Sequence, residues 1–522
     1  MATEWRAPKL IDLGGKEITL RNNAPLDLRS LQFTPDCKNL LGVQWHSVQN
    51  WEIATGRELT SFDVLANSPG QINGWFECFA VSPDGKVLAH GESDGTGRCD
   101  VSLRDATSGK EMGKINVDRD VQWTRLRFSH DGKTLAIFNG FDFEPKIELF
   151  DVAAAKNRTK PKAVLVVDGK LRSDGLQSVV FSPDGKTLLA YCGGRNGPTT
   201  VPVFDTTSAK QIGTLALPVT HGGGEFPERA VFSPDGRCVA VDLYDGTVAI
   251  IEMAAAKPRR IFGNNPPPPK GFVPPSDVYT SFAFSPDGHL FVQAGADNTV
   301  RIWDILTGKE LAVFKGHTQP VYTLAYAPDG KTIATVSQDG TGLIWDASKI
   351  KRLAWPAKAL QAGDLEKAWQ TLIEMDAVNA FSAIGDLAAA PKDAAVWIKE
   401  RVKPAVVVEQ KRIDELIGQL DDKQFKVREK ANIELLKISE RIVPSLDKAL
   451  TANPTLEVKM RLEDLRGKMT GMVLQGERLR NVRAIEVLER IGTPEARQVL
   501  EALAAGAPGA LVTTSAQAAL HR

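Results

Sequence analysis

One short pattern recurs through the first two thirds of this chain and restricts what it can fold into. An aromatic or apolar residue is followed by Ser-Pro-Asp-Gly or a near variant, seven times. The copies are Phe33-Thr-Pro-Asp36, Val81-Ser-Pro-Asp-Gly85, Phe128-Ser-His-Asp-Gly132, Phe181-Ser-Pro-Asp-Gly185, Phe232-Ser-Pro-Asp-Gly236, Phe284-Ser-Pro-Asp-Gly288 and Tyr326-Ala-Pro-Asp-Gly330. From one Asp to the next the steps are 48, 47, 53, 51, 52 and 42 residues. Pro presets φ for a turn, Asp supplies a local acceptor, and Gly is free to take positive φ. The pattern therefore reads as strand, tight turn, strand. Each copy leads into a short apolar run, then a second turn such as Gln338-Asp-Gly340. A third run ends in an aromatic–acidic pair or a variant of it, from Trp51-Glu52 to Trp303-Asp304 and Trp345-Asp346. A fourth run follows a turn of the Thr307-Gly-Lys309 type. Four short strands in a unit of about 45 residues predict one blade of a β-propeller.

These residues resemble the WD-repeat (WD40) family over residues 1–352, with seven blades. The last unit is the most typical, because Gly316-His317, Asp339 and Trp345-Asp346 match the family's GH, turn Asp and WD positions. The resemblance implies a hydrogen-bonded network of His317, Ser337, Asp339 and Trp345 inside that blade. The seventh unit lacks a fourth strand of its own. Lys9 to Leu20 has the length and alternation to supply one and close the ring without an open edge. The resemblance also places the connections between second and third strands, and between blades, on one face. Long segments fall there: Gly91 to Cys99, Gly193 to Thr200, Pro218 to Glu228 and Asn264 to Asp277. Long loops on one rim commonly carry binding. Arg195, Asn196, Phe226, Asn264, Pro267 and Phe272 are the candidate partner-binding residues.

From about Trp355 the pattern changes to Ala, Leu, Glu, Lys and Arg at helical spacing. Val427, Ala431, Leu435 and Ile438 share one helical face, as do Ala484, Val487, Leu488 and Ile491. Pro391, Pro404, Pro444, Pro454 and Pro494 cut the tract into short helices, and Thr493-Pro494-Glu495 is a strong helix start. Asp421 to Ala431, where Val427-Arg428 and Ala431 open one helix, resembles a HEAT-like repeat; Leu456 to Arg461 and Asn481 to Ala484 are weaker echoes. The expected organisation is a propeller over 1–352, a helical adapter over 353–405 and an all-α HEAT-like solenoid or bundle over 406–522. The whole is similar to bacterial proteins that join a WD-repeat propeller to a helical tail.

Motifs for chemistry are mostly absent. Gly91-Glu-Ser93-Asp-Gly95 matches the nucleophile-elbow pattern, but that elbow needs a strand entering and a helix leaving. Here the segment falls between two strands of a blade and reads as a turn. The seven histidines form no metal-binding pair at short spacing, and no phosphate-binding loop or dinucleotide fingerprint occurs. Asp421-Asp422 reads as a helix cap. Asn157-Arg-Thr159 is a formal glycosylation acceptor, relevant only in a secreted eukaryotic protein. Five cysteines with no CxxC pair point away from a zinc ribbon and toward a reducing compartment. The expectation is no cofactor, no metal and no catalytic residue. The start Met1-Ala2-Thr3-Glu4 lacks a secretory pattern and no long apolar run follows, so the expected location is the cytoplasm.

Charge decides between function classes. Lys plus Arg and Asp plus Glu number 64 each. Residues 353–522 carry 25 basic and 24 acidic side chains, and the preceding residues 39 and 40. Each part is thus close to neutral. A phosphate-tracking surface shows a clear basic excess, so nucleic-acid binding by the tail is disfavoured and no membrane partner is expected. The leading expectation is a non-enzymatic scaffold, with an unidentified protein or peptide docked on the loop-rich rim and a second on the tail. The alternative is a propeller hydrolase or lyase with its site at the central channel.

Overall fold

The computed structural model describes residues 9–12, 17–19, 30–43, 47–55, 57–63, 79–93, 98–120, 124–139, 145–154, 160–167, 176–192, 200–217, 230–243, 246–263, 281–294, 297–350, 360–438 and 442–522. Two strands come first, β1 (Lys9–Asp12) and β2 (Glu17–Thr19). The first blade is β3 (Ser30–Phe33), β4 (Asn39–Val43), β5 (Ser47–Glu52) and β6 (Glu58–Asp63). The second is β7 (Phe79–Val81), β8 (Val87–Ser93), β9 (Arg98–Asp105) and β10 (Glu111–Asp120). The third is β11 (Thr124–Phe128), β12 (Thr134–Asn139), β13 (Lys146–Asp151) and β14 (Ala163–Val166). The fourth is β15 (Leu176–Phe181), β16 (Thr187–Cys192), β17 (Thr200–Asp205) and β18 (Lys210–Ala216). The fifth is β19 (Ala230–Phe232), β20 (Cys238–Asp242), β21 (Val248–Glu252) and β22 (Lys257–Phe262). The sixth is β23 (Phe282–Phe284), β24 (Leu290–Ala294), β25 (Thr299–Asp304) and β26 (Glu310–Lys315). The seventh contributes β27 (Val321–Tyr326), β28 (Thr332–Ser337) and β29 (Gly342–Asp346). Each of the first six blades is a four-stranded sheet in sequential order, and the fold is a seven-bladed β-propeller.

Local chemistry explains the recurring turn. In blades two to six the motif's Ser Oγ donates to the Asp Oδ1 two residues on, from Ser82–Asp84 at 2.6 Å to Ser285–Asp287 at 2.5 Å. The same Ser Oγ accepts the N–H that opens the next strand, as with Val87 and Thr134. The motif glycines sit at φ near +70°, where a side chain would be strained. A Cβ at Gly132 would lie 3.7 Å from Pro83 Cδ, one at Gly236 3.6 Å from Pro183 Cδ, and one at Gly288 3.7 Å from Pro234 Cδ. Each turn thus nestles against the proline of the preceding blade. Gly185 has nothing within 4 Å, since the preceding motif holds His130 where the others have Pro.

Blades adhere through their faces. One core joins Phe138, Ile147, Leu149 and Leu165 of the third blade to Leu176, Val179, Leu188 and Phe204 of the fourth. Another joins Leu31, Phe33, Leu40 and Trp51 of the first to Ala327, Ala334 and Val336 of the seventh. Burying one such large side chain stabilises by roughly 1.5–3 kcal/mol. Closure uses the N-terminal segment. β1 takes the fourth place in the last sheet, beside β29, and β2 adds a fifth strand. The β1–β29 pairing is parallel, with Leu10 opposite Gly342 and Asp12 opposite Ile344, whereas the outer pairings of the first four blades and the sixth are antiparallel.

Ten described helices follow. They are α1 (Ala362–Thr371), α2 (Ala377–Ala388), α3 (Pro391–Arg401), α4 (Gln410–Gln419), α5 (Phe425–Lys437), α6 (Val443–Thr451), α7 (Leu456–Thr470), α8 (Gly476–Ile491), α9 (Pro494–Ala504) and α10 (Leu511–His521). Thr493 accepts from Ala496 N at 3.3 Å, with Pro494 in the first turn of α9, as the sequence leads one to expect. Asp422 accepts from Gln424 N at 2.7 Å just ahead of α5. Helices α4 to α7 form two stacked hairpins, α4 on α5 and α6 on α7, with α4 beside α6 and α5 beside α7. Their shared core includes Leu416, Leu420, Ala431, Leu435, Leu446, Leu462 and Leu465. Residues 353–405, read from sequence as an adapter, supply α1 to α3, of which α2 packs on α8 and α3 on α8 and α9. Among the described residues no helix is long and apolar enough to cross a membrane.

The chain divides into two compact units, Met1–Ile251 with Arg260–Leu353, and Glu252–Arg259 with Ala354–Arg522. The helical unit therefore includes a segment from within the sequence of the fifth blade, where the sequence reading drew one uninterrupted boundary.

Candidate functional site

The polar network of the seventh blade begins with β29. Trp345 lies opposite Ile333 of β28, so its ring reaches the diagonal neighbour two residues on, Thr335. Trp345 Nε1 donates to Thr335 Oγ1 at 2.8 Å, and Thr335 Oγ1 lies 2.8 Å from His317 Nε2. On the other side of the imidazole, Nδ1 is 3.2 Å from Asp339 Oδ2 and 3.1 Å from Thr341 Oγ1. A neutral imidazole with its proton on Nδ1 serves this arrangement. The indole N–H donates to the threonine oxygen, the threonine O–H donates to Nε2, and Nδ1–H donates to the carboxylate.

Asp339 is held from several directions. It accepts from Thr318 N at 2.8 Å, Thr341 N at 2.9 Å and Thr341 Oγ1 at 2.5 Å. Burial opposes its charge. The hydrogen bonds from His317, Thr341 and Thr318 outweigh that and hold the carboxyl well below the usual carboxylate range. Gly316 packs tightly, since a Cβ there would lie 3.0 Å from Leu343 Cδ1 and 3.1 Å from Trp345 Cη2. Phe314 stacks on Trp345 at 5.0 Å between centroids.

One sequence expectation is corrected here. The hydroxyl joining His317 to Trp345 belongs to Thr335, not Ser337. Ser337 shares the face of Thr335 but lies a further two residues from the indole. It donates instead to the carbonyls of Gln319 and Pro320 and accepts from Asp339 N. His317, Asp339 and Trp345 do come together, the imidazole meeting Asp339 directly and the indole through Thr335.

The helical unit contains a second cluster that sequence reasoning missed. Glu252 accepts from Arg259 Nη2 at 2.8 Å and from Arg483 Nε and Nη2 at 3.0 and 2.7 Å. Glu486 accepts from Arg259 Nη1 and Nη2 at 3.0 and 2.8 Å and from Arg490 Nε and Nη2 at 3.0 and 2.8 Å. Arg483 also donates to the carbonyls of Leu372 and Glu374. The Phe381 ring lies 4.9 Å from the Arg259 guanidinium. Side-chain exposure of Glu252, Arg259, Arg483 and Glu486 is 3% or less. Burial opposes the charge on Glu252, yet Arg259 and Arg483 overcome it and lower its pKa. Such pairing is what buried charge demands. The available signal was the spacing of Arg483, Glu486 and Arg490 along one stripe of α8, beside the apolar Val487.

The remaining expectations divide simply. β8 runs through Ser93 and pairs with β9, so the Gly-x-Ser-x-Gly segment joins strand to strand. Arg195, Asn196, Phe226, Asn264, Pro267 and Phe272 lie outside the described residues. Among the described residues no group of three or more His, Cys, Asp or Glu is placed to hold a metal ion.

Two segments, residues 272–304 and 308–346, match the WD40 family (WD domain, G-beta repeat). The chain is similar to the COMPASS component SWD3 of Saccharomyces cerevisiae, 28% identical over 144 residues, which cover 28% of this chain and 39% of the relative. It is also similar to the general transcriptional corepressor TUP1 of the same yeast, 42% identical over 52 residues, covering 10% of this chain and 7% of the relative. The chain thus spans well under half the length of these curated relatives. Both are yeast proteins, so they lend no support to a bacterial type. The matched segments fall in the part of the chain that folds as a seven-bladed β-propeller, which ten described helices follow.

Proposed function

We propose that this protein is a non-enzymatic interaction scaffold that works within a protein complex. One observation carries the reading. The polar side chains that stand out in the described blades are consumed by the fold itself. The motif Ser and Asp close turns, and His317, Asp339 and Trp345 brace a blade. Such a frame is rigid and presents loops. The relatives support the reading, since one is named as a COMPASS component and the other as a general transcriptional corepressor. The docking segments are 193–200, 218–228 and 264–277, with Arg195, Asn196, Phe226, Asn264, Pro267 and Phe272 as contact residues. The stacked hairpins α4 to α7 are read as a HEAT-like array and form the second docking surface.

The test keeps the full chain and replaces 264–277 with a Gly-Ser linker of equal length. Proteins captured by the wild type are quantified against the variant, with thermal melting as a folding control. Selective loss at unchanged melting supports the reading. An unchanged set of captured proteins, both here and after charge substitutions across α5 and α7, would sink it.

A further inference from the structure

The connection between α3 and α4 has one side fastened and the other open. It leaves α3 with extended backbone at Val402 and enters α4 with extended backbone at Glu409. Its sequence is Lys403-Pro-Ala-Val-Val-Val-Glu409, a β-branched run with a charge at each end. The inner side is set by Ala405. Its carbonyl accepts from Ala507 N at 2.7 Å, and a Cβ at Gly506 would lie 2.8 Å from its nitrogen. In an extended chain, the N–H and C=O of alternate residues face the same way. An extended segment fastened inward at Ala405 would turn those of Val406 and Val408 outward. Among the described residues, neither N–H donates to another backbone group. Val406 and Val407 are 80% and 60% exposed, a strong exposure for adjacent apolar residues.

We propose that this segment is a self-association edge that pairs antiparallel with the same segment of a second copy of the chain. The charges select that occupant and its register. Centred on Val406, the pairing sets Lys403 opposite Glu409 of the second copy and Glu409 opposite its Lys403. Ala405 then faces Val407, and Val406 faces its own counterpart across a two-fold axis. The two Val406 residues exchange N–H and C=O, and each Val408 N–H reaches the opposite Pro404 carbonyl. Pro404 has no N–H to give, which ends the ladder there and keeps the pairing closed. Lys403 Nζ also donates to the Lys399 carbonyl at 3.1 Å, which holds it at the end of the segment. The proposal is independent of the scaffold reading, because it concerns a second copy and not a different protein.

The register predicts a specific rescue. Val406→Asp and Val406→Lys each set two like charges face to face, which destabilises a cross-strand pair. Mixing the two variants sets opposite charges together. The full-length wild type should show a concentration-dependent dimer by sedimentation equilibrium. Each single variant should be at least about tenfold weaker, about 1.4 kcal/mol. The equimolar mixture should recover dimer as a heterodimer. Val406 is exposed, so melting temperatures should stay level. A monomeric wild type, open-ended assemblies, a variant that dimerises as well as wild type, or a mixture that stays monomeric would each overturn the proposal.

Discussion

The first and seventh blades carry the same tryptophan in opposite circumstances. Both are buried, Trp51 at 1% exposure and Trp345 at 2%. Trp345 Nε1 donates to Thr335, while Trp51 Nε1 has no hydrogen-bond partner among the described residues. The registers show why. Trp345 lies opposite Ile333 and finds Thr335 two residues along, while Trp51 lies opposite Leu40 and finds Gly42 at the equivalent place. The indole's apolar body is enough to fill a blade. Its N–H becomes stabilising only when the neighbouring strand supplies a hydroxyl that is itself anchored. The two blades therefore separate packing from polar bracing, and substitutions can measure each.

The largest effect should come from removing the hub. Thr335→Val preserves shape but strips partners from both His317 Nε2 and Trp345 Nε1. A loss of roughly 2–4 kcal/mol follows from two buried groups left unsatisfied, measured by calorimetry of the full chain. Asp339→Asn should cost about 1–3 kcal/mol. It should also flatten the acid response. The folded pKa of Asp339 lies below its unfolded value, so its stabilisation is present above pH 3.8 and is lost as pH falls through the folded pKa. Wild type should lose stability on acidification below about pH 4 more steeply than D339N. Equal slopes would show that the carboxylate contributes nothing. Trp345→Phe should cost about 1 kcal/mol beyond its packing change, for one lost hydrogen bond. Trp51→Phe should show no such increment, since the N–H it removes has nothing to lose. If the two Phe variants fall equally, the contrast between the blades fails.

The blades were legible because turn chemistry is local. Ser-Pro-Asp-Gly dictates its own hydrogen bonds, so one copy suffices to place two strands. The bridging hydroxyl was not legible to the same degree. Thr335 and Ser337 share a face by the two-residue period, and only the pairing of Ile333 with Trp345 decides which one the indole reaches. The buried cluster was harder still. Glu252 and Arg483 are separated by 231 residues, and nothing near Glu252 in sequence announces a partner. Helices α5 and α8 were visible from their apolar spacing, because that spacing is again a local property. The parallel entry of β1 was not, since alternation specifies a strand but not its direction.

That distant pairing bears on how the chain can be dissected. Glu252 and Arg259 precede the last two blades in sequence, yet they belong to the helical unit. A single cut near residue 353 would divide one folded body between two polypeptides. The tail fragment would keep Arg483 and Glu486, each deprived of its salt-bridge partner from the 252–259 segment. The helical unit is compact in space and interrupted in sequence. Any account of what the tail does alone must first return to it the turn it borrows.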